Sequence, residues 1–196
     1  MTTYKEFLQK YKSSDNSTRT HTCMRGTNGG TWAIPDDQID TFHRLYCEHI
    51  ESDNVLYMTE CHLPNHGPII IDFDFKFPVG TKDTKLTDDV IKIIVCNINT
   101  IIKKYITSNN NFCCIVTKRP EPYIDNSKTE KKDGFHIQYP FLITPYTFQE
   151  HIRLEYLKII ENDIKDIPYV NKIDKIYDAS VIKSTNWCMF GSTKLN

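Results

Sequence analysis

The sequence lacks any excess of charge of one sign. Its 24 Lys and Arg face 25 Asp and Glu, a formal net charge of -1 over 196 residues. That balance excludes an acidic tail protein and a histone-like polycation, and it argues against strong sequence-independent DNA binding by overall charge. Contact with nucleic acid must then come from a local basic patch, a metal-assisted site or another domain. No run approaches the ~20 apolar residues of a membrane span, so no membrane partner is expected. The opening MTTYKEFLQKYK has no apolar h-region, and no secretory signal is expected. The seven cysteines include no CxxC pair, which suits a reduced, intracellular protein. A GxxxxGKS/T phosphate loop, a GxGxxG fingerprint, HExxH and an EF-hand loop are all missing, so an NTPase motor, a Rossmann dehydrogenase and a zincin are poor readings.

What is present is enough apolar material for a core, 39% hydrophobic and 12% aromatic. Neither an internal repeat nor a shift in composition marks a domain boundary, so a single domain over residues 1–196 is expected. Tyr4 to Lys12 reads as a short amphipathic helix. Thr20 to Met24 and Thr31 to Ile34 read as strands around a turn at Arg25 to Gly30. Pro35 and Asp36 open a helix to about Ile50. Val55 to Glu60 and Pro68 to Phe75 are strands, and Thr87 caps a helix reaching about Tyr105. Phe112 to Thr117 and Phe135 to Tyr139 are strands around a polar loop, Lys118 to Lys132. Thr144-Pro145 and the capping box Thr147-x-x-Glu150 start a helix that ends near Asn162, and Trp187 to Phe190 is a last strand. Strands and helices interleave without a strict βαβ rhythm, which predicts an α+β (mixed α/β) fold.

Three segments carry chemistry. In Ile69-Ile70-Ile71-Asp72-Phe73-Asp74-Phe75 the period of two puts Asp72 and Asp74 on one face and Ile71, Phe73 and Phe75 on the other. Two carboxylates ~6–7 Å apart repel by roughly 2.5 kcal/mol at an effective dielectric of 20, and a divalent cation turns that repulsion into binding. On a solvated face the repulsion is below about 1 kcal/mol and no ion is needed. Two acids also leave an ion short of protein ligands, so a third carboxylate is expected. In Lys131-Lys132-Asp133-Gly134-Phe135-His136-Ile137-Gln138, a strand that begins early puts Lys132, Gly134, His136 and Gln138 on one face. Gly134 leaves a flat gap between a cation and a hydrogen-bond donor where a triphosphate fits. Read singly, the segment is as well explained by surface lysines and a hydrogen-bonded strand histidine. Further on, Asp178 is the natural third carboxylate, with Asp174 competing on spacing alone. Gly191-Ser192-Thr193-Lys194 offers a turn with hydroxyls and an ammonium, suited to phosphate or to plain solvent. Cys61-His62-x3-His66 has the donors of a zinc half-site but no fourth ligand, and a polar loop is the plainer reading. Trp32, Trp187, Tyr123 and Tyr139 are candidates either for base stacking or for the core.

The ordered combination of these segments resembles the archaeo-eukaryotic primase superfamily. The likeness is greatest to primase-polymerases and to the primase regions of large DNA virus helicase–primases. Asp72-Phe73-Asp74, Lys132-Asp133-Gly134-Phe135-His136 and the stretch from Asp178 to Lys194 match its three motifs in order. Thr20-His21-Thr22 and Gly30-Thr31-Trp32-Ala33-Ile34 look like the viral branch. The resemblance implies an RRM-like sheet packed with an N-terminal α/β unit, and an active site in the cleft between them. It implies Asp72, Asp74 and Asp178 as ligands of two divalent ions, Mg²⁺ or Mn²⁺, and Lys132, His136, Ser192 and Lys194 as contacts of the incoming nucleotide. Where family members carry arginines before the Ser-x-Lys ending, this chain has Thr185 and Cys188, and Lys183 is a partial substitute. Gly134 stands where relatives often have serine. A chain of this extent is either a minimal version or a core excised from a longer helicase–primase.

The expected function is a template-dependent nucleotidyltransferase, a DNA primase or primase-polymerase. It would act on single-stranded DNA with nucleoside triphosphates, beside a replicative helicase in cis or in trans, at nuclear or viral cytoplasmic replication sites. Two rivals remain open at this level: a non-catalytic RRM-like module that binds single strands or a replication partner, and a two-metal nuclease.

Overall fold

In the computed structural model, residues 2–23, 29–52, 55–106, 111–125, 127 and 129–192 are described. In chain order the elements are α1 (Tyr4–Lys10), β1 (His21–Cys23), β2 (Gly30–Trp32), α2 (Ile39–Glu51), β3 (Met58–Glu60), β4 (His66–Pro78), α3 (Asp88–Tyr105), β5 (Ile115–Lys118), β6 (Tyr123–Ile124), β7 (Glu130–Pro145), α4 (Tyr146–Leu157), α5 (Ile160–Ile164), α6 (Ile173–Ile176) and β8 (Trp187–Cys188). The chain divides into two compact units, Met1–Pro64 with Thr185–Asn196, and Asn65–Ser184. Every strand pairing is antiparallel among the described residues, so the fold is α+β. No helix of the described residues is long and apolar enough to cross a membrane.

The first unit holds a sheet ordered β2-β1-β3-β8. Its core gathers Tyr4, Phe7 and Leu8 of α1, Phe42, Leu45 and Tyr46 of α2, and Trp32, Ile34, Leu56 and Met58. Thr3 caps α1 with a full capping box, its side chain accepting from the Glu6 N–H while the Glu6 carboxylate accepts from its own N–H. The chain's late segment is part of this unit: Tyr46 Oη donates to Phe190 O at 2.7 Å, and the Met58 N–H donates to Ser192 Oγ at 3.0 Å.

The second unit is built around a sheet ordered β4-β7-β5, with β6 also on β7. Residues 176–178 close the outer edge of β4 through an antiparallel bridge between Phe73 and Tyr177. Along the chain this reads strand, helix, strand, strand, helix, edge segment. In space the order is fourth, first, third, second, which is the RRM-like split βαβ arrangement. Alternation along β4 buries Ile69, Ile71, Phe73, Phe75 and Phe77 on one face, beneath Ile91, Ile94, Ile98, Ile101 and Ile102 of α3 and Ile152 and Tyr156 of α4. Thr87 accepts from the Val90 N–H and starts α3 as its sequence predicts.

The sequence expectation contained neither β6, which lies within the expected loop Lys118 to Lys132, nor α6, and it differs at β7 and α4. β7 begins at Glu130 and runs 16 residues, because β4 pairs with both of its ends, from Glu130 to Tyr139 and again from Ile143 to Pro145 across a register shift. The helix expected at Thr144-Pro145 and Thr147 starts at Tyr146, directly after the strand, with Pro145 as its N-cap; no side chain caps it, so the Thr147 capping box does not form. That helix also ends at Leu157, and a separate α5 follows.

Candidate functional site

The polar face of the second unit's sheet can be read row by row from the strand register. Asp72 pairs with His136, Asp74 with Gly134, and Lys76 with Lys132. Thr117 of β5 stands on the far side of His136, and Tyr123 of β6 on the far side of Lys132. Directly opposed residues of an antiparallel pair point to the same face. Asp72, Asp74, Lys76, Lys132, His136, Thr117 and Tyr123 therefore share one surface, and all but Thr117, which is exposed, are half-buried. The early strand start that this grouping requires is present.

The third acid joins from the other edge. Extending the Phe73–Tyr177 bridge by one residue puts Asp178 opposite Asp72, and the Asp178 N–H donates to Asp72 O at 2.9 Å. One row thus reads Asp178, Asp72, His136, Thr117. Asp174, its competitor by spacing, lies in α6 and is exposed. Two side chains that the sequence did not single out hold this edge. Asn171 accepts from the Lys76 N–H at 3.0 Å and donates to Asp74 O at 2.8 Å, so one amide continues the ladder along β4. Arg153 of α4, buried, donates to Tyr177 O at 2.9 Å and to Asp174 O at 2.6 Å, and its guanidinium lies over the Tyr177 ring. A sequence signal for Arg153 exists: it occupies the buried stripe Gln149, Ile152, Arg153, Tyr156, where a cation demands a partner.

The side chains of the site are engaged with one another. His136 Nε2 lies 3.3 Å from Asp72 Oδ1. Asp178 accepts from the Ser180 N–H at 2.9 Å and from Ser180 Oγ at 2.7 Å. Lys76 is paired with Glu130 at 2.7 Å, and that hydrogen bond holds its ammonium above the ordinary lysine value. The two adjacent lysines part company: Lys131 Nζ donates to Thr81 O on the other face, while Lys132 stays on the polar one. Gly134 is tighter than a gap left for a ligand, since an added Cβ would lie 2.2 Å from Phe73 O.

Among the described residues, no three His, Cys, Asp or Glu side chains form a ready-made metal site. Asp72, Asp74 and Asp178 nonetheless fit a hard divalent ion. They are carboxylates only, two lie two residues apart on one strand face, and the third is one strand over. Each Asp178 oxygen takes one hydrogen bond from Ser180 and keeps acceptor capacity beyond it. The Cys61, His62 and His66 donors are not gathered either: His62 Nε2 lies 2.9 Å from Thr185 O, and Cys61 Sγ receives Asn186 at 3.5 Å.

Ser192 belongs to the first unit, where its hydroxyl lies 2.9 Å from Tyr46 Oη and accepts from the Met58 N–H. Lys194 lies outside the described residues. Thr185 and Cys188 are in the first unit as well, Cys188 in β8. Of the four aromatic candidates, Trp32 and Tyr139 are core residues, Trp187 is half-buried in β8, and Tyr123 is on the polar face.

An RRM-like sheet with Asp-x-Asp on its first strand, Lys-x-Gly-x-His on its third and an aspartate on its outer edge defines a primase-type domain. Comparison with known families agrees. Residues 20–196 match the model of the C962R protein N-terminal AEP domain, and the chain belongs to this archaeo-eukaryotic primase family. It is 34% identical over 195 residues to "Putative helicase L207/L206" of Acanthamoeba polyphaga mimivirus, covering 96% of this chain and 20% of that protein. To "Putative helicase 022R" of Frog virus 3 (isolate Goorha) it is 27% identical over 143 residues, covering 69% of this chain and 13% of the relative. The chain thus spans no more than about a fifth of the length of these viral relatives.

Proposed function

We propose that this domain is a template-dependent DNA primase or primase-polymerase, a nucleotidyltransferase that makes or extends primers on single-stranded DNA. The observation that carries the reading is the row Asp178, Asp72, His136, with Asp74 and Lys132 in the adjoining rows, all on one sheet face. Asp72, Asp74 and Asp178 would hold Mg²⁺ or Mn²⁺. When bound, two such ions supply the charge that lowers the pKa of the primer 3′-hydroxyl and steadies the leaving pyrophosphate. Lys132 neutralises charge on the nucleotide's phosphates, and His136, its ring oriented by Asp72 at 3.3 Å, donates to a phosphate oxygen. Lys194 is assigned to the triphosphate by the family resemblance alone. Ser192 is assigned to it on the same ground, and within its own unit it also locks the turn at Tyr46. The length and names of the viral relatives support a helicase partner, in cis or in trans, at sites of DNA replication.

The test is primer synthesis by the purified chain with Mn²⁺, nucleotides and a single-stranded template. Asp72→Ala and Asp74→Ala are expected to abolish product while keeping the thermal transition of the parent. Full synthesis in either variant, with its metal requirement unchanged, refutes the assignment. A non-catalytic single-strand binder is the second reading, favoured by the engagement of Asp178 with Ser180. It requires that the parent chain bind the strand, give no product and show no metal-dependent nucleotide binding.

A further inference from the structure

The ladder on the far side of β7 is interrupted beside Gly134. Lys118 pairs with Phe135 and Tyr123 pairs with Lys132, so the four residues Arg119, Pro120, Glu121 and Pro122 stand against two, Asp133 and Gly134. This is an enlarged β-bulge, a device that re-aims side chains near sites. The two prolines suit it: neither has an N–H to leave unpaired, and each fixes its own φ. Each also confines the residue before it, Arg119 or Glu121, to extended backbone. Arg119 is therefore pre-set by Pro120. Its guanidinium lies 4.4 Å from the centroid of Tyr123, the residue opposed to Lys132 on the polar face.

The cations of this sheet differ in their partners. Lys76 has Glu130, Lys131 has Thr81 O, and Lys118 has Leu86 O. Arg119 makes no hydrogen bond or ion pair among the described residues, and its partner is the Tyr123 ring. Among the described residues its five donors are unspent, in a planar fork matched to two phosphate oxygens. On β7 beside this bulge, Lys132 and His136 flank Gly134, and Asp74 stands opposite Gly134 on β4. Arg119 over Tyr123, with Lys132 and His136 on the face that also bears Asp72 and Asp74, suits a polyanion accompanied by a divalent cation.

We propose that Arg119, seated on Tyr123 by the proline-held bulge, is the guanidinium that grips the terminal phosphates of the incoming nucleoside triphosphate. This inference rests on the primase reading of the same face. The experiment uses the full chain with Mn²⁺. It compares binding of a fluorescent nucleoside triphosphate, the corresponding monophosphate and a labelled single-stranded oligonucleotide. Arg119→Ala is expected to weaken the triphosphate about tenfold, the scale of a charge-assisted bidentate contact. The monophosphate and the oligonucleotide should change less than about twofold, a split that mere loosening of the sheet would not give. Arg119→Lys, which keeps the charge and the fold, should remain at least about threefold weak because a point charge cannot span two oxygens. If Arg119→Ala binds triphosphate within twofold of the parent while Lys132→Ala loses it, Arg119 is no ligand and the primase reading stands. Loss of oligonucleotide binding with the triphosphate untouched would move Arg119 to the template and overturn the inference. If the parent itself binds no triphosphate at millimolar concentration, the primase reading falls and takes the inference with it.

Discussion

Gly134 offers the sharpest separation between what the family resemblance implies and what the packing demands. Relatives often carry serine at the matching place, which implies that a small side chain is tolerated there. In this chain an ideal Cβ on residue 134 would sit 2.2 Å from the Phe73 carbonyl oxygen and 3.3 Å from its carbon. Relief of that contact needs β4 and β7 to part by about 1 Å, since ordinary contact begins near ~3.5 Å. The obstacle is backbone in the middle of a 13-residue strand, with no flexible side chain end to swing aside. Interiors are packed too densely to absorb such a shift silently. The overpacking penalty is therefore at the upper end of the usual range, about 3 kcal/mol. For a chain of this size that corresponds to a fall in Tm of roughly 6–12 °C.

The same movement disturbs the rows that hold Asp74 and Asp72 opposite β7, so synthesis should fall with stability. Alanine and serine should behave alike, because the Cβ is the offender and the hydroxyl is irrelevant. The assay is a thermal melt of Gly134→Ala and Gly134→Ser beside primer synthesis well below the lower Tm. A serine variant that melts within about 2 °C of the parent and synthesises at the parent rate would refute the reasoning.

Other consequences are as specific. Arg153→Met leaves the Tyr177 and Asp174 carbonyls without their buried donor, and by the usual penalty of about 1–3 kcal/mol per orphaned group the chain should lose roughly 2–6 kcal/mol in urea unfolding. Ser180→Ala releases the Asp178 carboxylate from a hydroxyl at 2.7 Å, so Mn²⁺ affinity measured by titration should rise severalfold; a drop would mean that Ser180 holds Asp178 in its binding pose. His21, buried, has its pKa lowered to about 4, first by burial and then by the charge of His43. Its unfolded form takes up a proton below about pH 6.5 while the folded form resists until about pH 4. Stability should therefore fall across that window, by about 3 kcal/mol at its acid end. His21→Phe should flatten that limb in unfolding measured from pH 7 to pH 4; an unchanged slope would refute the assignment.

The parts of the site that lie on one strand were legible in the sequence. Period-two alternation separates Asp72 and Asp74 from Ile71, Phe73 and Phe75 with no tertiary information, and the same rule groups Lys132, Gly134 and His136 once the strand starts early. The parts that depend on which strands meet were not. Spacing left Asp174 and Asp178 in competition, and the choice rests on the Phe73–Tyr177 bridge. Asn171 imitates a strand with its side-chain amide, for which no periodicity exists. The bulge at Arg119 to Pro122 reads as loop because its prolines are loop residues, although short ladders flank it on both sides.

That pattern has a physical origin in the outer edge of β4. An unpaired edge leaves N–H and C=O groups that must find partners. Here they are met by unlike groups in succession: Val170 N–H on Lys76 O, the Asn171 amide at Asp74 and Lys76, and Asp178 N–H on Asp72 O. A segment bound in this piecemeal way has fewer ladder bonds than a strand, and Arg153 supplies the missing anchorage from behind. Such an edge is fixed enough to bring an acid from more than a hundred residues away to the strand that bears the other two. Because Asp178 is held there by its own N–H and, among the described residues, its carboxylate is held by Ser180, the side chain can change partner while the backbone stays. Arg153 and Ser180 should therefore separate in experiment, the first moving stability and the second moving metal affinity. Equal effects of both variants on both readouts would mean that backbone placement and carboxylate orientation at this edge are one event.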